Sequence, residues 1–205
     1  MAVRVSSVQL LVLFMCISGT PGQDNDCDYP DTPVPDDSCK WVNYDLPNAD
    51  FEDQTNMIDW FPIPTELFKY TTEEAHSGMQ SIEVELESSD ERGGAFQIVQ
   101  FDEGSEPTKV VFQGWSKAKD VSGVVDKYYS LECRATNTLG VEQGIYNANF
   151  TTGNQDWNMQ EIYITADPDT EAITKLVCTC LFQFKTGIVY FDDMSLILGY
   201  DCETQ

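Results

Sequence analysis

The sequence predicts an all-β protein, a two-layer antiparallel β-sandwich, on three observations. Short runs of alternating apolar and polar residues follow one another from Trp41 onward. Turn-forming segments rich in Gly, Asn, Asp and Pro separate them, and no stretch keeps a helical period. Strands this short and this evenly spaced bury their apolar faces by packing one sheet on another.

Each run carries its own reason. "QSIEVELES" sends Ile82, Val84 and Leu86 one way and Glu83, Glu85 and Glu87 the other, as a half-buried strand does. "GAFQIVQF", "TKVVFQGWSKA", "KYYSLECRA", "GIYNANF", "MQEIYITA", "AITKLVCTCLFQF" and "TGIVYFDDMSLIL" continue the pattern. Between them lie "DERGG", "DEGSEP", "NTLG", "TTGN" and "ADPDTE", which supply turn chemistry. The last strand contains an oddity. Strict alternation places Asp192 on one side with Tyr190 and Met194 and Asp193 on the other with Phe191 and Ser195, so neither side is free of a carboxylate. A bare buried carboxylate is too costly to keep, so the doublet reaches water or meets a cation or donor.

The termini read differently. Residues 1–22 have Arg4, an apolar run from Val8 to Ile17 broken by Gln9, and then small residues. The run is too short to span a bilayer and has the order of a secretion signal, which predicts a secreted, extracellular protein with no membrane partner. Residues 23–43 begin with an acidic, proline-rich arm, "QDNDCDYPDTPVPDDS", pinned by Cys27 and Cys39. Prolines and clustered aspartates exclude a helix or central strand there. The sandwich itself is expected over 44–200, with a short tail at 201–205.

Eleven basic residues against 35 acidic ones give a formal net charge of −24. This excludes nucleic acid as a partner and leaves cations, basic proteins and mineral surfaces. Six cysteines lie outside the leader: Cys27, Cys39, Cys133, Cys178, Cys180 and Cys202. In an exported chain an even set reads as a disulfide framework, whose pairing spacing does not fix. Cys178 and Cys180 share a strand face and cannot easily bond to each other, and one of them is expected to meet Cys133 across two strands. Zinc is disfavoured, since no cysteine spacing repeats and His76 is the single histidine. The sequon Asn149-Phe150-Thr151 can accept an N-glycan in the secretory pathway and would then face solvent.

Several pieces taken together carry a resemblance. "NADFE" at 48–52 with Trp60, "AHSGMQSIEV" at 75–84, "VVFQGWSKAKDVSG" at 110–123, "FTTGNQDWNMQEIYI" at 150–164 and "TGIVYFDDMSL" at 186–196 look like jelly-roll carbohydrate-binding modules of the galactose-binding-like type, especially families four and nine. The resemblance implies glycan binding on a concave face or at loop tips, and a structural calcium held by the early glutamate and the late aspartates. Carried over, it nominates Glu52 with Asp192 or Asp193 and the His76–Gly78 turn as a carbonyl donor, a set of hard oxygens suited to calcium. The alternative is that Glu52 is merely exposed and the aspartates cap a turn.

For the sugar, Trp115, Trp60, Tyr146, Tyr128 and Trp157 offer flat apolar faces, and Gln113, Gln97 and Asn147 offer hydrogen bonds. Val111, Gln113, Trp115 and Lys117 share one mixed face, which makes Trp115 the leading contact, with core filler as the competing role; Trp157 reads as a packing residue. With one histidine, no Ser-His-Asp set backed by a second histidine can be assembled, and the expectation is a binding protein and not an enzyme. Its partner is expected to be a polysaccharide or a glycoprotein glycan. Two alternatives stand beside this reading: an acidic matrix protein of a calcified tissue, acting in biomineralization through calcium or mineral, and a glycan-cleaving enzyme using a carboxylate pair.

Overall fold

The structure, a computed structural model, describes residues 39–54, 59–166, 172–200 and 202. The expected secretion signal, the acidic arm with Cys27 and most of the tail lie outside the described residues. Eleven strands are described: β1 (Lys40–Tyr44), β2 (Phe61–Pro62), β3 (Phe68–Thr71), β4 (Ser81–Leu86), β5 (Arg92–Gln100), β6 (Lys109–Val121), β7 (Tyr129–Asn137), β8 (Glu142–Asn149), β9 (Gly153–Thr165), β10 (Ile173–Gln183) and β11 (Gly187–Tyr200). One 3₁₀ turn, Thr65–Leu67, precedes β3.

The strands form two antiparallel sheets. One runs β3-β4-β11-β6-β9, with β1 also paired to β11; the other runs β2-β5-β10-β7-β8. The all-β sandwich expected from the alternation is the observed fold, and each of the eight expected strands is present. Ile82, Val84, Leu86, Phe112, Leu131, Leu176, Phe182 and Phe191 meet between the sheets with essentially no exposure. Close approach there requires glycine at position 93, where an added Cβ would run into Val84 Cγ1 from the facing sheet.

Alternation fails once, and instructively. Between Asp192 and Ser195 the pairing of β11 with β6 shifts register, and Asp193 takes a left-handed conformation with φ of 48°. This is a β-bulge, which places an extra residue in one strand and resets its inside and outside. Val189 and Phe191 face the core before it, and Met194, Leu196 and Leu198 after it. Strict alternation had placed Met194 with Asp192; the bulge separates them and keeps both carboxylates out of the core.

Cys39 and Cys202 form a disulfide that closes the β1–β11 pair at its end. Cys39 therefore pins the first strand to the last. Cys133 and Cys178 are directly opposed on β7 and β10, with sulfurs 2.6 Å apart. That is the cross-strand meeting expected from the sequence, although both are thiols here. Cys180, expected in the disulfide framework, is instead a buried free thiol with its sulfur against Met194 Sδ at 3.5 Å. Burial pushes the Cys133 and Cys180 thiols well up, so they stay protonated.

Candidate functional site

The structure brings the nominated acids to one loop. The 72–80 segment lies over the outward face of the six-stranded sheet, with the Ser81 hydroxyl donating to the Glu74 carbonyl at 2.7 Å. Asp192 Oδ2 accepts the backbone N–H groups of His76 and Ser77 at 2.8 and 3.2 Å, and its Oδ1 accepts that of Asp193 at 2.8 Å. Asp193 takes the His76 Nδ1–H at 2.6 Å and the Ser77 hydroxyl at 2.8 Å. Further along the same loop, Glu52 Oε1 accepts the N–H groups of Met79 and Gln80 at 2.6 and 2.9 Å. Gly78, with φ of 61°, leaves room for that carboxylate, since a Cβ would strike it.

Asp192 has no exposure, and burial pushes its carboxyl up to about 6 against the opposing pull of its amide donors. In fit to calcium the oxygens are of the right kind, but both oxygens of each aspartate already accept a donor. No group of three or more His, Cys, Asp or Glu side chains is arranged to hold a metal among the described residues. In this arrangement the carboxylates clamp the loop through charge-assisted hydrogen bonds.

His76 then lies flat on Trp115, ring centroids 3.9 Å apart and planes 17° from parallel, with Trp157 edge-on at 5.6 Å. Trp115 and Lys117 do share the outward face of β6, as alternation required, with Gln113 beside them opposite Ser195 and Glu161. One face of the Trp115 indole is thereby occupied by a protein ring. Lys117 is held by Glu74 at 2.9 Å, which raises its ammonium pKa, and by Asp156 at 3.6 Å. Trp157 packs against the His76 ring, in keeping with a packing role.

Three expected sugar contacts are placed elsewhere. Trp60 is 1% exposed, packed on Phe51 with its indole N–H on the Asn48 carbonyl, so it has no free face for a ligand. Tyr146 stands opposite Cys133 on β8, on the core-facing side, and packs against the core. Tyr128 lies edge-on to Phe184 at 4.9 Å, at the far end of β10. Asn149 is exposed at the end of β8, on the same outward face of the strand as Asn147.

The opposite sheet presents a surface that the sequence reading did not isolate. Register puts Phe96 and Ile98 of β5, Val177, Thr179 and Leu181 of β10, Glu132 and Arg134 of β7, and Ile145 and Asn147 of β8 on one outward face. Phe61 of β2 stacks on Phe96 at 5.2 Å. Although they point away from the core, Thr179 and Leu181 are only 7% and 9% exposed. Thr179 lies between Phe96 and Glu132, whose side chains stand above it, so the middle strand is the floor of a shallow groove at that position, whereas Leu181 is paired with Gly94 and Ser130 beyond it. One wall is apolar, with Phe61 43% and Ile98 46% exposed. The other carries Arg134, whose guanidinium binds Glu132 Oε1 through two nitrogens at 3.0 Å, and the exposed Asn147. At one end of the face Arg92 lies over the Phe184 ring. Aromatic walls with a few fixed polar groups are what a hydroxyl-rich, partly apolar ligand requires. The clue in the sequence was "GAFQIVQF", where both alternating sets hold large apolar residues although only one can face the core.

No protein-family model matches the chain. A 94-residue stretch, 45% of the chain, is 42% identical to the tRNA nuclease WapA of Bacillus subtilis strain 168, but covers only 4% of that protein. Among solved structures, the C-terminal family 22 carbohydrate-binding module of Clostridium thermocellum Xyn10B aligns over 84% of this chain and all of its own, at 13% identity and a TM-score of 0.50. The Stig cyclase Fisc of Fischerella sp. TAU aligns over 80% of this chain and all of its own, at 13% identity and a TM-score of 0.56. Identities this low speak to fold alone, and the fold hosts both a binding module and a cyclase. The solved module belongs to family 22, whereas the sequence pattern suggested families four and nine. What these findings establish is the two-sheet antiparallel β-sandwich fold.

Proposed function

We propose that this is a secreted, non-catalytic carbohydrate-binding protein whose glycan surface is the groove on the five-stranded sheet. One observation carries this: the outward strand position Thr179 is sunk between Phe96, which Phe61 and Ile98 flank, and Glu132, which Arg134 holds. The stacked phenylalanines would take the apolar face of a sugar ring, and Arg134, Glu132 and Asn147 would bond its hydroxyls. Net charge disfavours anionic glycans, so the reading is for neutral polysaccharide.

The test is affinity electrophoresis through gels containing neutral polysaccharides, xylan, β-glucan and mannan among them. Phe96→Ala is expected to weaken retention by about three- to tenfold, the worth of one aromatic contact. Trp115→Ala, on the other sheet and already covered by His76, is expected to leave it unchanged. Loss of retention in Trp115→Ala with none in Phe96→Ala would move the site to the six-stranded sheet. Absence of retention on every gel would end the carbohydrate reading.

The structural calcium that the resemblance implies at Glu52, Asp192 and Asp193 is not part of this proposal, because loop N–H and O–H donors already take those carboxylate oxygens. Its test is the melting temperature with calcium and with chelator. No shift is the expected result, and a rise with calcium would mean that an ion joins the hydrogen bonds there. The mineral-binding alternative rests on arm aspartates that lie outside the described residues.

A further inference from the structure

Directly beneath the groove two cysteines face each other. Cys133 lies between Glu132 and Arg134 on β7, and Cys178 between Val177 and Thr179 on β10, so the pair sits under the polar wall and the floor at once. Register opposes them directly, and their sulfurs are 2.6 Å apart. That is well inside the roughly 3.5–4.0 Å at which non-bonded carbon atoms, smaller than sulfur, come to rest. Directly opposed residues of an antiparallel pair stand about 4.5–5.5 Å apart at Cα, within the roughly 4.4–6.8 Å that a disulfide spans. Both are thiols in this structure.

Cys180 is the competing partner, since it shares the core-facing side of β10 with Cys178. It stands opposite Leu131, two residues along. The diagonal from Cys133 is about 7–8 Å, too long for a bridge unless the backbone moves. Its sulfur also points across the sandwich, to Met194 Sδ on β11 at 3.5 Å. Geometry thus separates two cysteines that spacing left equivalent. Burial decides when a bond can form. Cys133 and Cys178 have no exposure, and burial pushes the Cys133 thiol up, so the closed sandwich offers an oxidant neither access nor a Cys133 thiolate.

We propose that the folded protein carries a Cys133–Cys178 disulfide, a covalent staple under the groove that is made before the sheets close and is sealed from reductants afterwards. The electrons pass to a disulfide oxidant, small or protein-borne. One cysteine thiolate attacks it to give a mixed disulfide, and the other displaces the leaving thiol. The pair gives up two protons and two electrons, and one oxidant disulfide becomes two thiols. The staple stands on the β7–β10 register alone. Its bearing on ligand binding rests on the groove reading: by tying the wall strand to the floor strand, it holds Glu132 and Arg134 at a fixed distance from Thr179.

The experiment takes the full chain secreted from a eukaryotic cell line, blocks free thiols with iodoacetamide in denaturant without reductant, and maps the peptides by mass spectrometry. Fragmentation within the peptide that holds both Cys178 and Cys180 tells which of them is alkylated. The expected map joins Cys133 to Cys178 and leaves Cys180 alkylated. The bond should persist when native protein is held in dithiothreitol and be lost when the same reductant is applied in urea. Alkylation of both Cys133 and Cys178, or a bond from Cys133 to Cys180, overturns the proposal, and loss of the bond in native protein overturns the seal. Cys133→Ala/Cys178→Ala, read only if its melting curve remains cooperative, is expected to lose about threefold in retention on the polysaccharide gel that holds the wild type. Cys180→Ala, which opens a gap in the same core without touching the bond, is expected to lose none. Equal retention in the two variants overturns the link to the groove. A wild type that carries the bond and is retained on no gel removes the groove and leaves the staple standing.

Discussion

Removing the Cys39–Cys202 bridge should cost this fold more stability than any single core contact. The bond joins residues separated by 163 positions, nearly the whole described chain. Loop-closure entropy for a separation of that length amounts to about 5 kcal/mol withheld from the unfolded state, and measured losses for native bridges run at about 2–5 kcal/mol. Besides the bridge, β1 is held by five register pairs to β11, with Trp41 packed over Gly199 and Tyr44 edge-on to Phe101. The double variant Cys39→Ser/Cys202→Ser removes the bridge without disturbing Cys133, Cys178 or Cys180. Urea unfolding followed by far-ultraviolet circular dichroism should show a loss of about 3–5 kcal/mol. The denaturant slope should rise, because the unfolded chain expands once uncrosslinked. A loss under about 1 kcal/mol with an unchanged slope would refute the reasoning. It would show that β1 frays on its own and that the rest of the sandwich does not depend on the closure.

Two further outcomes follow from individual residues. Asp192 keeps its proton up to about 6 in the fold, whereas an unfolded aspartate releases it near about 3.9, so the folded state binds more protons between those values. Its contribution is therefore greatest below the lower value and is lost as pH rises through the upper one. In chelator-containing buffer, the stability of the protein relative to Asp192→Asn should fall by about 2 kcal/mol from pH 4 to pH 7, and a flat difference would contradict the burial argument. Gly93→Ala, which drives a methyl into Val84 across the sandwich, should lower stability by about 1–3 kcal/mol in the same urea assay; a neutral result would mean that the two sheets can part there.

Much of the architecture was legible because its strands are long and alternate. β6, β10 and β11 run for 13, 11 and 14 residues, and their patterns identify them without help. β2, with two residues, and β1, whose exposure follows no alternation, carry no such signal and form only because a neighbour offers an edge. The bulge at Asp193 was invisible for a related reason: a left-handed aspartate has no distinctive neighbours in sequence. In the candidate site, the gathering of Glu52, Asp192, Asp193 and His76 at one loop followed from the family-like motifs, and the Trp115 face followed from alternation. Trp60 misled because residue type says that an indole prefers partial burial, not which surface it occupies. The groove was missed because Thr179 looks like an ordinary strand residue until Phe96 and Glu132 are known to stand on either side of it.

The left-handed aspartate in the last strand acts as a phase marker. Deleting Asp193 would leave a strand one residue shorter, yet every side chain from Met194 onward would change faces: Met194, Leu196 and Leu198 would pass out to water and Ser195 and Ile197 would turn inward against the facing sheet. A single missing codon there would do more damage than a substitution at most core positions. Aligning this segment with other sandwiches therefore depends on where each chain inserts its extra residue.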